Sequence, residues 1–211
     1  MKPFNLCAKP HKDILDGKFS METYAAKIGQ VYRQDKICPE EYLDPKTFFK
    51  RTFLTDSFER ILKDVKRKLD GDTKSTSVLN IKTPFGGGKT HTMIALLHKV
   101  NEWKANVVVL DGRELDSNDQ TFWGEIEKQL DGKIDRLDGQ VPHGADELKQ
   151  VLEKHQPLLI LIDEAMDYID NAKAIEVKGE TLGNLTVNWF TQLTTAVTEL
   201  NKTCVVVSLP S

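Results

Sequence analysis

Apolar residues recur along this chain in two alternating rhythms. Val78-Leu79-Asn80-Ile81-Lys82-Thr83 and residues 107–110, 158–162 and 204–208 are short runs rich in valine, isoleucine and leucine. The unbroken run Leu158-Leu159-Ile160-Leu161-Ile162 is the pattern of a strand covered on both faces, as in a parallel sheet. Between the runs, apolar residues return every three or four positions. Met93, Ile94, Leu97 and Val100 define one helix, and others are expected over 122–130, from about 146 to 155, and through Met166, Ile169 and Ala172. A long helix carries Val187, Phe190, Leu193, Val197 and Leu200, after a flexible break at 179–183. Strands alternating with helices imply right-handed crossovers, a parallel α/β sheet, and a ligand site at the carboxyl ends of the strands.

Ahead of the first strand the pattern is helical. Pro3, Pro10 and Gly17 make residues 1–18 an irregular lead-in with a short turn at 13–15. Phe19 and Ser20 then staple and cap a helix whose stripe is Tyr24, Ala25, Ile28, Val31 and Tyr32. Cys38-Pro39 and Asp44-Pro45 break that pattern. Asp56 and Glu59 form a capping pair for a second helix, with Phe58, Ile61, Leu62, Val65 and Leu69 on one face. Residues 1–77 are therefore expected to be a helical N-terminal extension and linker packed on a core formed by residues 78–211.

The stretch joining the first strand to its helix changes the picture from fold to chemistry. Thr83-Pro84-Phe85-Gly86-Gly87-Gly88-Lys89-Thr90 resolves into small residues, then a lysine, then a hydroxyl. Glycines let backbone N–H groups close on a pyrophosphate, and the helix that follows adds the positive end of its dipole. This is the phosphate-binding loop pattern G-x-x-x-x-G-K-[ST], with Thr83 in place of the first glycine. Pro84 stiffens the turn, and Gly86, Gly87 and Gly88 supply the flexibility. Pro84, Phe85, Gly86, Gly87, Gly88, Lys89, Thr90 and His91 form the expected ATP-binding segment, His91 through its backbone N–H. Lys89 reaches the β- and γ-phosphates, and Thr90 holds Mg²⁺.

A second motif follows the third strand. Apolar residues closing on Asp163-Glu164 are the Walker B pattern, in which Asp163 holds the water shell of Mg²⁺ and Glu164 orients or deprotonates the attacking water. Either motif alone has a plainer explanation, a mere turn or an acidic strand end; together, in one strand-loop-helix order, they point to one site. Ser208, ending the fourth strand, is the candidate polar sensor of the γ-phosphate or of the attacking water, with Ser211 the fallback. The expected catalytic set is Glu164, Lys89 and Ser208, and the metal set Thr90 and Asp163. Phe53, Leu54 and Thr55 stand where a wall for the adenine is needed. Guanine specificity is not expected: Met166 replaces the glycine of D-x-x-G, and Asn201-Lys202-Thr203-Cys204 lacks the aspartate of N-K-x-D.

Composition narrows the partners. With 211 residues, 39% apolar and 29% charged, the chain suits one soluble globular domain. A net charge of -3 supplies no bulk attraction to nucleic acid, and Lys63, Lys66, Arg67 and Lys68 read as the solvated face of a helix, so no direct nucleic-acid site is expected. Cys7, Cys38 and Cys204 are widely spaced and read as free thiols of a reducing compartment. No segment reaches the roughly 18 apolar residues of a membrane span, so a cytoplasmic location is expected.

The Thr83–Thr90 loop with His91 after it, the Ile160-Leu161-Ile162-Asp163-Glu164 strand end and the segment Phe48-Phe49-Lys50-Arg51-Thr52-Phe53-Leu54-Thr55 together resemble a known family. It is that of the large prokaryotic AAA+-like ATPases of anti-phage islands, encoded beside DNA adenine methyltransferases and helicases and similar to the BREX and phage-growth-limitation ATPases. The resemblance covers about residues 20 to 211. It implies a three-layer P-loop NTPase core of the AAA+-like kind, with Gly86, Gly87, Gly88, Lys89 and Thr90 binding ATP and Mg²⁺, Asp163 supporting the metal and Glu164 as catalytic carboxylate. Members are much longer, so the chain reads as an N-terminal piece ending after the fourth core strand. Self-association of the full-length protein, an arginine finger from a neighbouring subunit, and DNA-modifying or helicase partner proteins are further expectations of the resemblance. Its rival is a nucleotide-dependent switch or scaffold that does not hydrolyse.

Overall fold

The computed structural model describes residues 15–17, 26–83 and 88–210. Its centre is a sheet of four parallel strands: β1 (Val78–Thr83), β2 (Asn106–Asp111), β3 (Leu158–Asp163) and, after a two-residue antiparallel ladder of β4 (Glu176–Val177) with β5 (Glu180–Thr181), β6 (Thr203–Pro210). The strand order is β1-β6-β3-β2. Helices α1 (Ile28–Tyr32), α2 (Glu40–Leu43), α3 (Pro45–Arg51), α4 (Asp56–Leu69) and α5 (Lys89–Trp103) precede β2. Helices α6 (Phe122–Asp131), α7 (Ala145–Glu153), α8 (Ala165–Ala172) and α9 (Leu182–Thr198) follow it.

Period-two alternation along the strands divides the core in two. Val109, Leu159, Leu161, Cys204 and Val206 face one way, packing with Ile28, Val31, Phe48, Phe58, Val65, Met93 and Leu96 of α1, α3, α4 and α5. Val108, Leu110, Leu158, Ile160, Ile162 and Val205 face the other, against Phe122, Trp123, Leu148, Tyr168 and Trp189 of α6 to α9. Helices therefore flank the parallel sheet on both faces. This explains why β3, buried at all six positions, shows no alternation in its sequence.

Among the described residues, β1 and β2 are the edge strands, and a side chain meets the edge of β2. Gln129 of α6 accepts from Val109 N at 2.9 Å and donates to Val109 O at 2.8 Å, so its amide stands in for one residue of a neighbouring strand.

Several local expectations are corrected. The breaks at Pro39 and Pro45 are also helix starts, Pro39 as N-cap of α2 and Pro45 as first residue of α3, because a first-turn N–H has no helical partner to lose; α2 ends at Leu43, with Asp44 as its C-cap. Asp44 caps α3, accepting from Thr47 N at 2.8 Å. Thr55, not Asp56, caps α4: its hydroxyl accepts from Phe58 N at 3.2 Å, and Asp56 sits in the first turn. Residues 179–183 are not a free break, since α9 begins at Leu182. A Cβ on Gly183 would meet Ile169 O at 2.8 Å, so that glycine lets α9 approach α8. The buried face of α9 is Leu182, Thr186, Trp189, Leu193, Ala196 and Val197, while Val187 is half exposed; one tryptophan outweighs the valine in setting the helix rotation. In the basic run, Lys63 pairs with Glu59 and Arg67 with Asp72, Lys66 bonds Asp70, and Lys68 is buried. The turn at 13–14, the helix start at Phe19 and Ser20, Tyr24, Ala25 and Cys7 lie outside the described residues. Cys38 and Cys204 are buried free thiols, and burial pushes Cys204 up to about 12.

Candidate functional site

The carboxyl ends of three adjacent strands carry a row of polar side chains on the face toward α5. Asp111 of β2 is in register with Asp163 of β3. Ser208 of β6 follows Val207, which is in register with Ile162. Each continues the alternation that points Val109, Leu161 and Val206 toward α5. All three are buried, with Asp163 fully inaccessible.

Helix α5 descends onto this row. Gly88 at its N-cap has φ 80 and ψ 22, a left-handed conformation that suits glycine. The first backbone bond at this end runs from Thr92 N to Gly88 O at 2.9 Å, so the N–H groups of Lys89, Thr90 and His91 precede the intrahelical ladder. Thr90 Oγ1 donates to Asp163 Oδ2 at 2.8 Å across 73 positions of sequence. Lys89 Nζ donates to Thr83 O at 3.3 Å, spanning the glycine stretch from one end to the other. Pro84, Phe85, Gly86 and Gly87, expected in the nucleotide segment, lie outside the described residues, as does Ser211.

Asp163 is the hub. Its other oxygen, Oδ1, accepts the Ser208 hydroxyl and, at 3.1 Å, the Glu164 backbone N–H. Ser208 Oγ in turn accepts from Glu164 N at 3.1 Å. Glu164 itself has φ 49 and ψ 43, an uncommon left-handed conformation for a non-glycine residue, and it caps α8. Gly112 makes room for this turn, since a Cβ there would lie 2.1 Å from Glu164 O, while Gly112 N donates to Asp163 O at 2.9 Å.

Two participants were not singled out by sequence. Arg113, just past β2, donates from Nη2 to Glu164 Oε1 at 2.9 Å and lies 3.8 Å from Asp167. Asp111 has an unpartnered buried oxygen, Oδ2, while Oδ1 accepts from Arg113 N at 3.1 Å. Burial, helped by the charges of Glu114 and Asp163, raises its carboxyl to about 6. The available signal is an apolar run closing on an acid, as at Ile162-Asp163.

The His91 side chain, to which the sequence assigns no role, joins α5 to the segment before β1. Thr52 Oγ1 and His91 Nε2 are 2.9 Å apart, and the single Thr52 proton is committed to Phe48 O at 2.8 Å, so His91 Nε2–H donates to Thr52. The His91 ring lies 4.5 Å from that of Phe48. Burial holds His91 below the ordinary histidine range. The segment 52–55 is thereby fixed beside the first turn of α5, with Phe53 85% exposed and Leu54 40%.

The donor set here is oxygen throughout: a hydroxyl, carboxylates and a serine, which suits a hard cation such as Mg²⁺ and not a soft one. Among the described residues, no group of three or more His, Cys, Asp or Glu is disposed to hold a metal alone. Among the described residues, too, no helix is long and apolar enough to cross a membrane.

In a comparison with protein families, the model described as the DUF499 N-terminal domain matches residues 4–119, more than half of the chain. The matched span takes in the glycine stretch, α5, Asp111 and Arg113, and stops before Asp163. No curated protein matches the chain.

Proposed function

The chain belongs to the DUF499 N-terminal domain family, and from the site at its strand ends we propose that it binds and hydrolyses ATP with Mg²⁺ as a P-loop, AAA+-like module. One observation carries the reading: the hydrogen bond between Thr90 and Asp163, which joins the two sequence motifs at a single point. In this role Lys89 turns from the Thr83 carbonyl to the phosphates, and the N–H groups opening α5 receive phosphate oxygens. Thr90 and Asp163 hold the Mg²⁺, which neutralises phosphate charge when bound. Glu164 accepts the proton of the attacking water, and Ser208 fixes Asp163 and the Glu164 backbone in place. Phe53 offers an exposed aromatic face for the adenine.

Calorimetry of the purified chain with Mg-ATP tests binding. Lys89→Ala is expected to cost about 1.5–3 kcal/mol of affinity, the worth of a charge-assisted hydrogen bond. Glu164→Gln should keep the nucleotide and lose turnover about 100-fold or more, as expected for a removed general base. Absence of Mg-ATP binding, or equal turnover in wild type and Glu164→Gln, would sink the proposal.

A second reading, a nucleotide-dependent switch that hydrolyses slowly or not at all, is favoured by the Arg113–Glu164 ion pair, which occupies the carboxylate assigned as base. Phosphate release by the chain, measured alone and with candidate partners, separates the two. From the family resemblance alone we extend the first reading to a larger cytoplasmic assembly. There the module self-associates and powers DNA-directed anti-phage defence beside DNA-modifying or helicase partners.

A further inference from the structure

The polar row at the strand ends has three members, and their hydrogen bonding is unequal. Asp163 receives three donors: Thr90 Oγ1 on one oxygen, Ser208 Oγ and Glu164 N on the other. A carboxylate offers about four lone-pair sites, so Asp163 is nearly saturated by the protein itself. Ser208 gives its proton to Asp163 and accepts from Glu164 N. Asp111 stands beside Asp163, in register on the adjacent strand, on the same face and 4% exposed, with Oδ2 bonded to nothing among the described residues. A buried, unpartnered carboxylate oxygen is costly to keep, and such an oxygen inside an otherwise satisfied row calls for a donor brought from outside.

A hydrated cation brings such donors. Mg²⁺ dehydrates reluctantly and keeps several waters, each presenting two O–H groups that need acceptors near the metal. We infer that Asp111 is a positioning residue of the cation site, whose free Oδ2 accepts a hydrogen bond from the water shell of the divalent ion that Thr90 and Asp163 hold. This rests on the nucleotide-site reading above and adds to it a carboxylate from β2, a strand that supplies neither motif. The competing explanation lies on the other side of Asp111. A cavity of about 270 Å³, bordered by Asp111, Tyr32, Glu114 and Gln129, has room for solvent that would satisfy Oδ2 without any metal.

The two explanations separate in a metal titration. Binding of a fluorescent ATP analogue to the wild-type chain and to Asp111→Asn is measured in EDTA and across a Mg²⁺ series, and Mn²⁺ binding in the presence of the analogue is followed by electron paramagnetic resonance. Asn keeps the shape and removes the charge. The expected result is unchanged affinity in EDTA, a Mg²⁺ midpoint raised about 10-fold, and Mn²⁺ weakened to match, the usual scale for a lost outer-shell partner. Equal Mg²⁺ midpoints in the two proteins overturn the inference, as does an affinity that falls equally with and without metal, which marks a structural acid. Should Asp111→Asn fail to fold by circular dichroism, Asp111→Ser is read by the same criteria. If wild type binds no analogue under either condition, the nucleotide-site reading fails and this inference falls with it. If it binds and only the Asp111 comparison is flat, this inference alone fails.

Discussion

At the scale of single residues, the proposed hydrolase and the proposed switch differ in what Glu164 is free to do. Its side chain is about three-quarters shielded, and that of Arg113 is 42% exposed, so their 2.9 Å ion pair is only partly desolvated. Pairs of this kind contribute about 0–1 kcal/mol. Releasing Glu164 from Arg113 should therefore change turnover by no more than about fivefold, the factor corresponding to 1 kcal/mol. Arg113→Ala is predicted to raise basal ATP hydrolysis within that limit while leaving nucleotide affinity in place. A fall to the level of Glu164→Gln would instead mean that Arg113 itself supports the chemistry.

Among the elements, the loop between α6 and α7 shows how an acid can organise backbone. Glu127 is 1% exposed, and its carboxylate accepts from Asp135 N at 2.9 Å, Arg136 N at 3.0 Å and Leu137 N at 2.8 Å. Burial opposes its charge, yet these three bonds outweigh burial and hold it below the ordinary glutamate range. A depressed folded-state value means that the native protein binds fewer protons than the unfolded chain. The stabilisation is thus present at neutral pH and is lost as pH falls through the folded value. Glu127→Gln should lower stability by about 1–3 kcal/mol at pH 7. The deficit should shrink as the pH falls below the ordinary glutamate value of about 4.3. Thermal melts of the two proteins across pH check it, and a gap that stays constant from neutral to acid pH would count against the assignment.

Glu127 was invisible in sequence for the same reason that much else at this scale was. Its role is fixed by backbone groups eight to ten residues away, and no period or spacing encodes them. Strands were legible because burial on both faces forces unbroken apolar runs, and the polar row at their ends was legible in part because Asp163 and Ser208 sit where those runs stop. Caps were less so: Thr55 and Asp56 are adjacent and both competent, and only the backbone geometry selects the threonine. Asp111 and Arg113 escaped because their meaning depends on β2 lying beside β3, a fact of strand order.

Across the whole molecule, the helices before β1 share their core with α5 and with one entire face of the sheet. Phe48 of α3, 2% exposed, packs on His91 at 4.5 Å and on His98 at 5.0 Å between ring centres. His98 Nε2 donates to Tyr42 O at 2.8 Å, and Thr52 is bonded to His91. The helix whose first turn holds Lys89 and Thr90 is thus gripped along its length by the N-terminal segment, so the site and the segment should rise and fall together. Removing the Phe48 ring should cost about 3–5 kcal/mol, a large share of the 5–15 kcal/mol that holds a domain together. Phe48→Ala is accordingly predicted to lower the melting of the entire chain in one transition and to weaken Mg-ATP binding, although Phe48 touches none of the polar row. Hydrogen exchange resolves the alternative. If residues 56–69 lost protection while β3 kept that of the wild type, the N-terminal helices would be a separable appendage. Equal loss in both places would mean that the first turn of α5 depends on a core built half from residues before the first strand.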